Sequence, residues 1–405
     1  MNGIRLQSLA FSLAVSAALL IGPLGLACAP GDSRNARVNA VFADYDKPGS
    51  PGCALGVIQD GKLAYKRGYG MASLEHGAPI TPDTIFRMGS VSKQFTAAAV
   101  ALLAEEGKIS LDDDVRKYLP ELPAYERPIT IRHLIHHTSG LRDYTSLTPM
   151  AGIGGTDHYT VAESLDLIAR QRATDFQAGE KYSYCNSGYF LLSQIVERAS
   201  GKSLRAYAEE RIFGPLGMKQ THFHDAPFEV VPRRAYGYSP ADDGGYRTDM
   251  TGWEQVGDGS VFTTIEDLLL WDRNFYDNRL GLGGPALIET LQTPGKLNNG
   301  ETIDYAFGLR VDEYRGLKRV HHSGSWVGFR TYITRFPEQH LSVAVLCNLS
   351  TASPGPLAHR VADIYLAGEF KEEGGEEAGS SAARAREQVE VPEEELRRLA
   401  GHYWS

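Results

Sequence analysis

The sequence has few of the residues from which metal and redox sites are built. It contains four cysteines in 405 residues, with none of the paired spacings of zinc sites, and it has no H-E-x-x-H motif. His133, His136, His137, His321 and His322 are not accompanied by a matched set of acidic ligands. We therefore predict no metal site.

The sequence also lacks the G-x-S-x-G motif, which excludes an ordinary α/β-hydrolase. It has no block of lysine and arginine beside aromatic residues. The formal net charge is -9, of which residues 369–395 carry -7, so the rest of the chain is close to neutral. Nucleic acid binding therefore has no electrostatic support, and a small-molecule or peptide substrate fits better.

Three of the cysteines, Cys53, Cys185 and Cys347, lie far apart in the part of the chain expected to fold. Because an odd number cannot all pair, we expect buried free thiols. A disulfide between Cys53 and Cys347 is the alternative, since both lie in strand-like segments. We interpret Cys185 as a small packing residue.

The N-terminal segment has the composition of an export signal. Arg5 precedes an apolar run over residues 9–26, and small residues follow it. We predict a signal peptide over residues 1–27 and an exported protein, periplasmic or extracellular. A retained N-terminal membrane anchor and lipidation of Cys28 are the alternatives.

The order of the predicted elements indicates an α+β protein of the α/β sandwich type. Strand patterns lie near both chain ends, at residues 53–58, 63–69, 305–314, 318–322, 329–336 and 341–348. Helical patterns dominate residues 90–291, and further helices are predicted over 35–46 and 356–366. We therefore predict one antiparallel sheet built from both chain ends, with flanking helices and an inserted helical lobe.

Composition also predicts the domain boundaries. Residues 32–368 are expected to form one folded domain. Residues 369–391 are rich in glutamate, glycine and alanine and are interpreted as an acidic, disordered linker. Residues 392–405 are predicted to begin a further, truncated domain.

The stretch Ser90-Val91-Ser92-Lys93 holds the only serine that is followed three residues later by a lysine. The apolar periodicity after it predicts a buried helix that begins at Ser90 and is stopped by Gly107. Residues three apart share a helix face, so the Lys93 amine can reach the Ser90 hydroxyl. Burial and the helix N-terminus disfavour the ammonium form, which would make Lys93 a base for a serine nucleophile.

A second motif, Tyr184-Cys185-Asn186, lies at the predicted start of a helix. A phenol held near an ammonium loses its proton more easily, so Tyr184 is a candidate proton shuttle. Asn186 suits recognition of a substrate amide or carbonyl. The alternatives are that Asn186 caps the helix while Tyr184 packs, and that Tyr182 is the shuttle.

A third motif, His322-Ser323-Gly324, follows a predicted strand. Glycine at this position would let a substrate lie against the strand, and His322 could donate a hydrogen bond to it. Backbone N–H groups of the helix start and the strand edge could hold an oxyanion. A structural histidine beside a turn is the alternative.

The order S-x-x-K, Y-x-N and K/H-x-G resembles the class C β-lactamase and serine DD-peptidase-like family of penicillin-recognising serine hydrolases. Residues 51–54, 68–70, 131–134 and 137–141 add to the similarity, which covers residues 36–367. The resemblance identifies residues 32–368 as the hydrolase domain.

The resemblance implies that Ser90 is acylated, that Lys93 and Tyr184 move protons, and that Asn186 orients the substrate. It also implies substrate contacts by His322, Gly324 and Trp326, and an oxyanion hole made by the backbone N–H groups of Ser90 and Ser325. No cofactor is implied. Pocket walls are expected from residues 138–144, residues 252–259 and Trp326.

The sequence departs from typical class C β-lactamases at His322, where they carry a lysine. A histidine is mostly neutral at pH 7 and attracts a β-lactam carboxylate less strongly. We therefore expect an esterase or D-alanyl-D-alanine peptidase-like hydrolase with weak or no β-lactamase activity. The alternative is a penicillin-binding or ligand-sensing module with little turnover.

Overall fold

The computed structural model describes residues 30–242 and 244–371. The predictions for residues 1–27, for Cys28 and for residues 372–405 therefore lie outside the described residues. Within these ranges, no helix combines the length and the apolar character that crossing a membrane requires.

The six-stranded antiparallel sheet confirms the predicted fold class. Its strands, in chain order β1 to β6, are Cys53–Gln59, Lys62–Tyr69, Arg310–Tyr314, Leu317–Trp326, Phe329–Phe336 and Leu341–Cys347. Their order across the sheet is β3-β4-β5-β6-β1-β2, so strands from the two chain ends meet where β6 pairs with β1. Asp60 and Gly61 form the predicted hairpin turn with positive φ angles of 51° and 68°.

The two halves of the sheet are also joined covalently. Cys53 lies directly opposite Cys347 in the register of β1 and β6, and the two form a disulfide. The expectation of free thiols is therefore wrong for this pair, because the strand register brings the two side chains together. Cys185 is a buried free thiol.

Helices cover both faces of the sheet. The α-helices of the described residues are Pro30–Val41, Lys93–Glu105, Ile131–Ile135, Tyr144–Met150, Val161–Ala169, Asn186–Ser200, Leu204–Ala208, Gly214–Leu216, Ile265–Asn274, Ala286–Leu291 and Pro354–Tyr365. The first and last of these pack on one face around an apolar core that includes Phe42 and Phe336. The helical lobe packs on the other face around a second, larger core.

The helix Lys93–Glu105, here called α1, is buried over nearly its whole length and packs against Asn186–Ser200, called α2. Alanine, leucine and valine on all of its faces explain why it lies inside the lobe. A short 3₁₀ turn over Gly89–Ser92 precedes it, so the helical segment starts next to Ser90, as predicted. Its first residue, Lys93, is carried into the interior.

Short strands complete the lobe and bring distant loops to the start of α1. Phe86–Arg87 pairs with Val261–Thr263, which also pairs with His222–Phe223. Gly252–Trp253 pairs in parallel with His158–Tyr159. The remaining short pairs are Met71–Ser73 with Ala78–Pro79 and Tyr238–Pro240 with Tyr246–Thr248.

Candidate active site

Ser90 and Lys93 face each other at the start of α1. The Lys93 Nζ donates a hydrogen bond of 3.2 Å to the Ser90 Oγ. Lys93 has no solvent-exposed surface, whereas Ser90 lies at the wall of a pocket. A hydroxyl at the wall of a pocket is therefore adjacent to an amine that solvent does not reach.

Two further acceptors hold the Lys93 amine. Its Nζ donates to the Asn186 Oδ1 at 2.8 Å and to the backbone oxygen of Asp258 at 2.6 Å. Burial lowers the pKa of Lys93 to about 8, and the charges of Asp258 and Asp143 partly oppose this shift. The amine therefore keeps a substantial neutral fraction near physiological pH, as the sequence predicts.

Tyr184 lies beside this pair, with its ring centroid 4.9 Å from the Lys93 Nζ. Burial raises the pKa of Tyr184 above its ordinary value, and the nearby Ser90 hydroxyl opposes this only in part. The prediction that the nearby ammonium lowers this pKa is wrong, because desolvation of the phenolate outweighs it. The rival Tyr182 accepts a hydrogen bond of 3.0 Å from Arg310, and neither tyrosine is among the residues that line the pocket.

Asn186 is the first residue of α2 and is engaged at both ends of its amide. Its Oδ1 accepts from Lys93, while its Nδ2 and its backbone N–H donate to the Asp143 carboxylate at 3.0 Å and 2.7 Å. Asp143, and not Asn186, thus satisfies the open N–H at the start of the helix. The side chain predicted to orient the substrate is placed to orient Lys93.

His322 is buried behind the pocket, where both of its ring nitrogens have protein partners. The Nδ1 lies 2.6 Å from the backbone oxygen of Ser323, and the Nε2 lies 3.0 Å from the Tyr305 hydroxyl. Burial lowers the pKa of His322 to about 3, so the ring is neutral at pH 7. The predicted hydrogen bond to substrate would require one of these contacts to break.

Gly324 and Gly89 let strand β4 approach the turn that carries Ser90. A Cβ on Gly324 would lie 2.0 Å from the backbone oxygen of Met88, and one on Gly89 would lie 2.8 Å from the backbone nitrogen of Ser325. The space beside Gly324 is therefore filled by backbone and not by substrate, which corrects the reason predicted for this glycine. The close approach brings the main chains of Ser90 and Ser325 to one pocket.

The pocket around Ser90 has a volume of about 210 Å³. Its lining residues are Arg87, Gly89, Ser90, Tyr144, Thr145, Asn186, Trp253, Gln255, Asp258, Gly259, Ser260, Ser325 and Trp326. Of the predicted wall over residues 252–259, Trp253, Gln255, Asp258 and Gly259 line the pocket, and so does the predicted Trp326. Of the predicted wall over residues 138–144, only Tyr144 does. Trp253 and Trp326 pack edge to face, with ring centroids 5.1 Å apart.

Sequence reasoning missed Arg87, and it included Asp143 and Asp258 only within the predicted pocket walls, without a role for either side chain. Asp258 is buried, its carboxylate accepts a hydrogen bond of 2.9 Å from the Tyr144 hydroxyl, and burial raises its pKa. Asp258 lies between two glycines, a signal for a tight loop that can approach a ligand. Nothing in the sequence around Asp143 or Arg87 separates them from ordinary surface charges.

Another group of polar side chains, outside the pocket, has the composition of a metal site. Ligand atoms of His222, His224 and Glu229 lie within 4.8 Å of one another. The Glu229 carboxylate is already bound by Arg205, at 2.7 and 3.0 Å, and the two imidazoles lie 3.3 Å apart. The sequence pattern raises the question of metal binding for other histidines and not for His222 or His224.

A larger cavity, of about 360 Å³, is lined by residues such as Asp60, Leu270 and Arg279. It contains no residue of the three motifs. The smaller pocket is therefore the candidate active site.

Known proteins with similar sequences include hydrolases and penicillin-binding proteins. The chain is 31% identical over 325 residues to a D-aminopeptidase of Gluconobacter oxydans, covering 80% of this chain and 60% of that protein. It is 31% identical over 310 residues to penicillin-binding protein 4* of Bacillus subtilis, covering 72% of this chain and 66% of that protein. The chain thus spans about three fifths to two thirds of these relatives.

Solved structures share the fold. The octameric penicillin-binding protein homologue from Pyrococcus abyssi matches with a TM-score of 0.73 and 29% identity, over 84% of this chain and 78% of that one. A D-amino acid amidase from Ochrobactrum anthropi matches with a TM-score of 0.67 and 23% identity, over 83% and 99%. A family model described as beta-lactamase matches residues 38–366, which is most of the chain, and the chain therefore belongs to the β-lactamase family.

Proposed function

We propose that this chain is a serine hydrolase that forms an acyl-enzyme on Ser90. The observation that carries the proposal is the hydrogen bond of 3.2 Å between the Lys93 Nζ and the Ser90 Oγ, with the amine buried and its pKa lowered to about 8. A buried amine with this pKa is a general base suited to neutral solution. The named relatives, which include D-aminopeptidases, support the same class of reaction.

In the acylation step, neutral Lys93 takes the Ser90 proton while the Ser90 Oγ attacks the carbonyl carbon of the substrate. The oxyanion that forms is held by the backbone N–H groups of Ser90 and Ser325. Tyr184 is protonated at rest, because burial raises its pKa, so it can pass a proton to the leaving amine or alcohol and recover one from Lys93. Neutral Lys93 then takes a proton from water as the water oxygen attacks the acyl carbonyl, and it returns that proton to the Ser90 Oγ as the ester bond breaks, which releases the acid and restores Ser90.

The proposed substrates are D-amino-acid amides and esters. A pocket of about 210 Å³ is smaller than the pockets that hold drug-sized ligands, and it suits one amino-acid-sized acyl group. The Asp258 carboxylate in its wall offers an anionic partner for an α-ammonium group. Because His322 is neutral, we propose that β-lactam hydrolysis is weak or absent.

We also propose that the protein is exported. The N-terminal composition supports this proposal. The disulfide between Cys53 and Cys347 supports it independently, because such bonds persist mainly in oxidising compartments.

The nucleophile is tested by mass spectrometry of the intact protein after treatment with a fluorophosphonate. We expect one adduct on the wild type and none on Ser90→Ala. Ser92→Ala is the matched control, because the Ser92 Oγ lies on the same turn but accepts a hydrogen bond from the Val261 N–H in the interior. Labelling of Ser90→Ala at the wild-type rate would rule out the assignment.

Labelling alone does not distinguish a hydrolase from a ligand-sensing module that is acylated once. Steady release of p-nitrophenol from a short-chain ester, over many equivalents of enzyme, is expected for the hydrolase. A single burst without further turnover would instead identify the sensing module.

A further inference from the structure

Arg87 is a buried cation in the wall of the Ser90 pocket. It ends the short strand Phe86–Arg87, three residues before Ser90, and only 5% of its surface is exposed. Its guanidinium carbon lies near two aromatic rings, 5.9 Å from the Phe262 centroid and 6.0 Å from the Trp326 centroid. The mechanism proposed above does not use it.

Among the described residues, no ion pair joins Arg87 to a carboxylate. One terminal nitrogen donates to the Ser260 Oγ, and the buried Nε has no hydrogen-bond partner. Burial lowers the pKa of Arg87 to about 10, and the more distant charge of Asp258 opposes this only in part. A buried guanidinium with an unused donor is costly in free energy unless something pairs with it.

Asp258 does not take that place. Its carboxylate accepts from Tyr144, and its backbone oxygen accepts from Lys93. Arg87 is one of the residues that line the pocket, so a ligand bound there can supply the acceptor that the protein does not. A carboxylate matches the planar, forked donors of arginine better than other groups do.

We propose that Arg87 binds a carboxylate of the substrate, so that the preferred substrates carry an anionic group in addition to the scissile amide or ester. This proposal rests on the proposed function of the Ser90 site and narrows its substrate class. The carboxylate can belong to the acyl group or to the leaving group, and the experiment below distinguishes these two positions.

The test compares kcat/KM within two matched pairs of substrates. For the acyl side, 4-nitrophenyl hydrogen glutarate is compared with the neutral 4-nitrophenyl pentanoate. For the leaving-group side, D-alanyl-D-alanine is compared with D-alanyl-D-alaninamide. In at least one pair, we expect the wild type to favour the carboxylate substrate by about 10- to 100-fold, the range of a charge-assisted hydrogen bond.

Arg87→Gln is expected to bring the kcat/KM ratio of the carboxylate to the neutral substrate close to one. Arg87→Lys is expected to retain part of the preference. Arg234→Gln is the matched control, because Arg234 is near enough to lower the pKa of Arg87 but does not line the pocket. Its ratio should equal that of the wild type. A preference that survives in Arg87→Gln would overturn the proposal.

A wild-type ratio near one in both pairs would also overturn it, and this measurement needs no variant to fold. Failure of the proposed function gives a different result, namely no Ser90-dependent hydrolysis of the neutral ester. The ratio of kcat/KM values within each pair therefore tests the role of Arg87, while hydrolysis of the neutral ester tests the role of Ser90.

Discussion

Two regions of this molecule bury positive charge in opposite ways. On the sheet, Arg335 donates to the Asp272 Oδ1 at 2.8 Å, and the two side chains are 3% and 4% exposed. Ser342 donates to the same oxygen, and the ring of Phe275 lies 3.6 Å from the guanidinium carbon. At the Ser90 site, Lys93 and Arg87 are 0% and 5% exposed, but among the described residues no carboxylate forms an ion pair with either.

The difference separates a buried charge that stabilises the fold from buried charges that can act on a ligand. A paired charge is held in its ionised form, so its proton is unavailable at neutral pH. A buried cation without an ion-pair partner has a lowered pKa or a free donor, and either property can be used on a ligand. We therefore expect the Arg335 pair to matter for stability and the pocket cations to matter for activity.

The largest effect is expected from Lys93→Met, which should lower kcat/KM by about 10³- to 10⁴-fold, because the general base is lost. The stability change should be small by comparison. The substitution removes the desolvation cost of a buried amine but leaves the Asn186 Oδ1 and the Asp258 oxygen without a donor. We expect the free energy of unfolding to change by less than about 2 kcal/mol in urea denaturation. Activity near the wild-type level would contradict the role given to Lys93.

Arg335→Met should show the reverse pattern. It leaves the buried Asp272 carboxylate without its cation, which should lower the free energy of unfolding by about 3–5 kcal/mol. The kcat per folded molecule should stay within about twofold, because Arg335 does not line the pocket. In the double variant Arg335→Met/Asp272→Leu, most of the stability should return, since neither charge is then stranded. A large loss of kcat in Arg335→Met without a loss of stability would contradict the expectation that the Arg335 pair matters for stability and the pocket cations for activity.

The sequence predicts the features that depend on local spacing. The 53–58 and 63–69 strands follow from strand-like segments on either side of the Asp60-Gly61 turn signal, and the nearness of Ser90 and Lys93 follows from one helical turn. The resemblance to a known family supplied the grouping of three motifs that lie far apart in the chain. These predictions need no knowledge of how distant segments pair.

Features that depend on register and burial could not be predicted in this way. The Cys53–Cys347 disulfide requires the exact pairing of strands from opposite chain ends. The direction of the Tyr184 pKa shift depends on the balance between desolvation and nearby charge, which only the packed structure fixes. Asp143 contacts Asn186 and Asp258 contacts Lys93 across long sequence separations, so no local pattern identifies them.

The smallest expected effect is on the pH dependence of the reaction, and it tests the role of the unpaired Lys93 amine most specifically. Because the neutral amine is the active form, kcat/KM for a neutral ester should rise about tenfold per pH unit below the Lys93 pKa of about 8 and level off above it. His322 and His136, with pKa values lowered to about 3 and about 4, should not contribute an inflection near neutrality. His322→Gln is therefore expected to retain the inflection near pH 8.

The lowered pKa of Lys93 also leads to an independent prediction for the stability of the protein. The pKa of Lys93 is lower in the folded state than its ordinary value of 10.5, so the unfolded chain binds more protons between about pH 8 and 10.5. The contribution of Lys93 to the free energy of unfolding should therefore increase as the pH rises through this window, and Lys93→Met should lack that increase. Urea denaturation of both proteins across the window measures the difference. An activity inflection near pH 6.5, together with identical pH dependence of stability in the two proteins, would assign the titration to a histidine and remove Lys93 as the base.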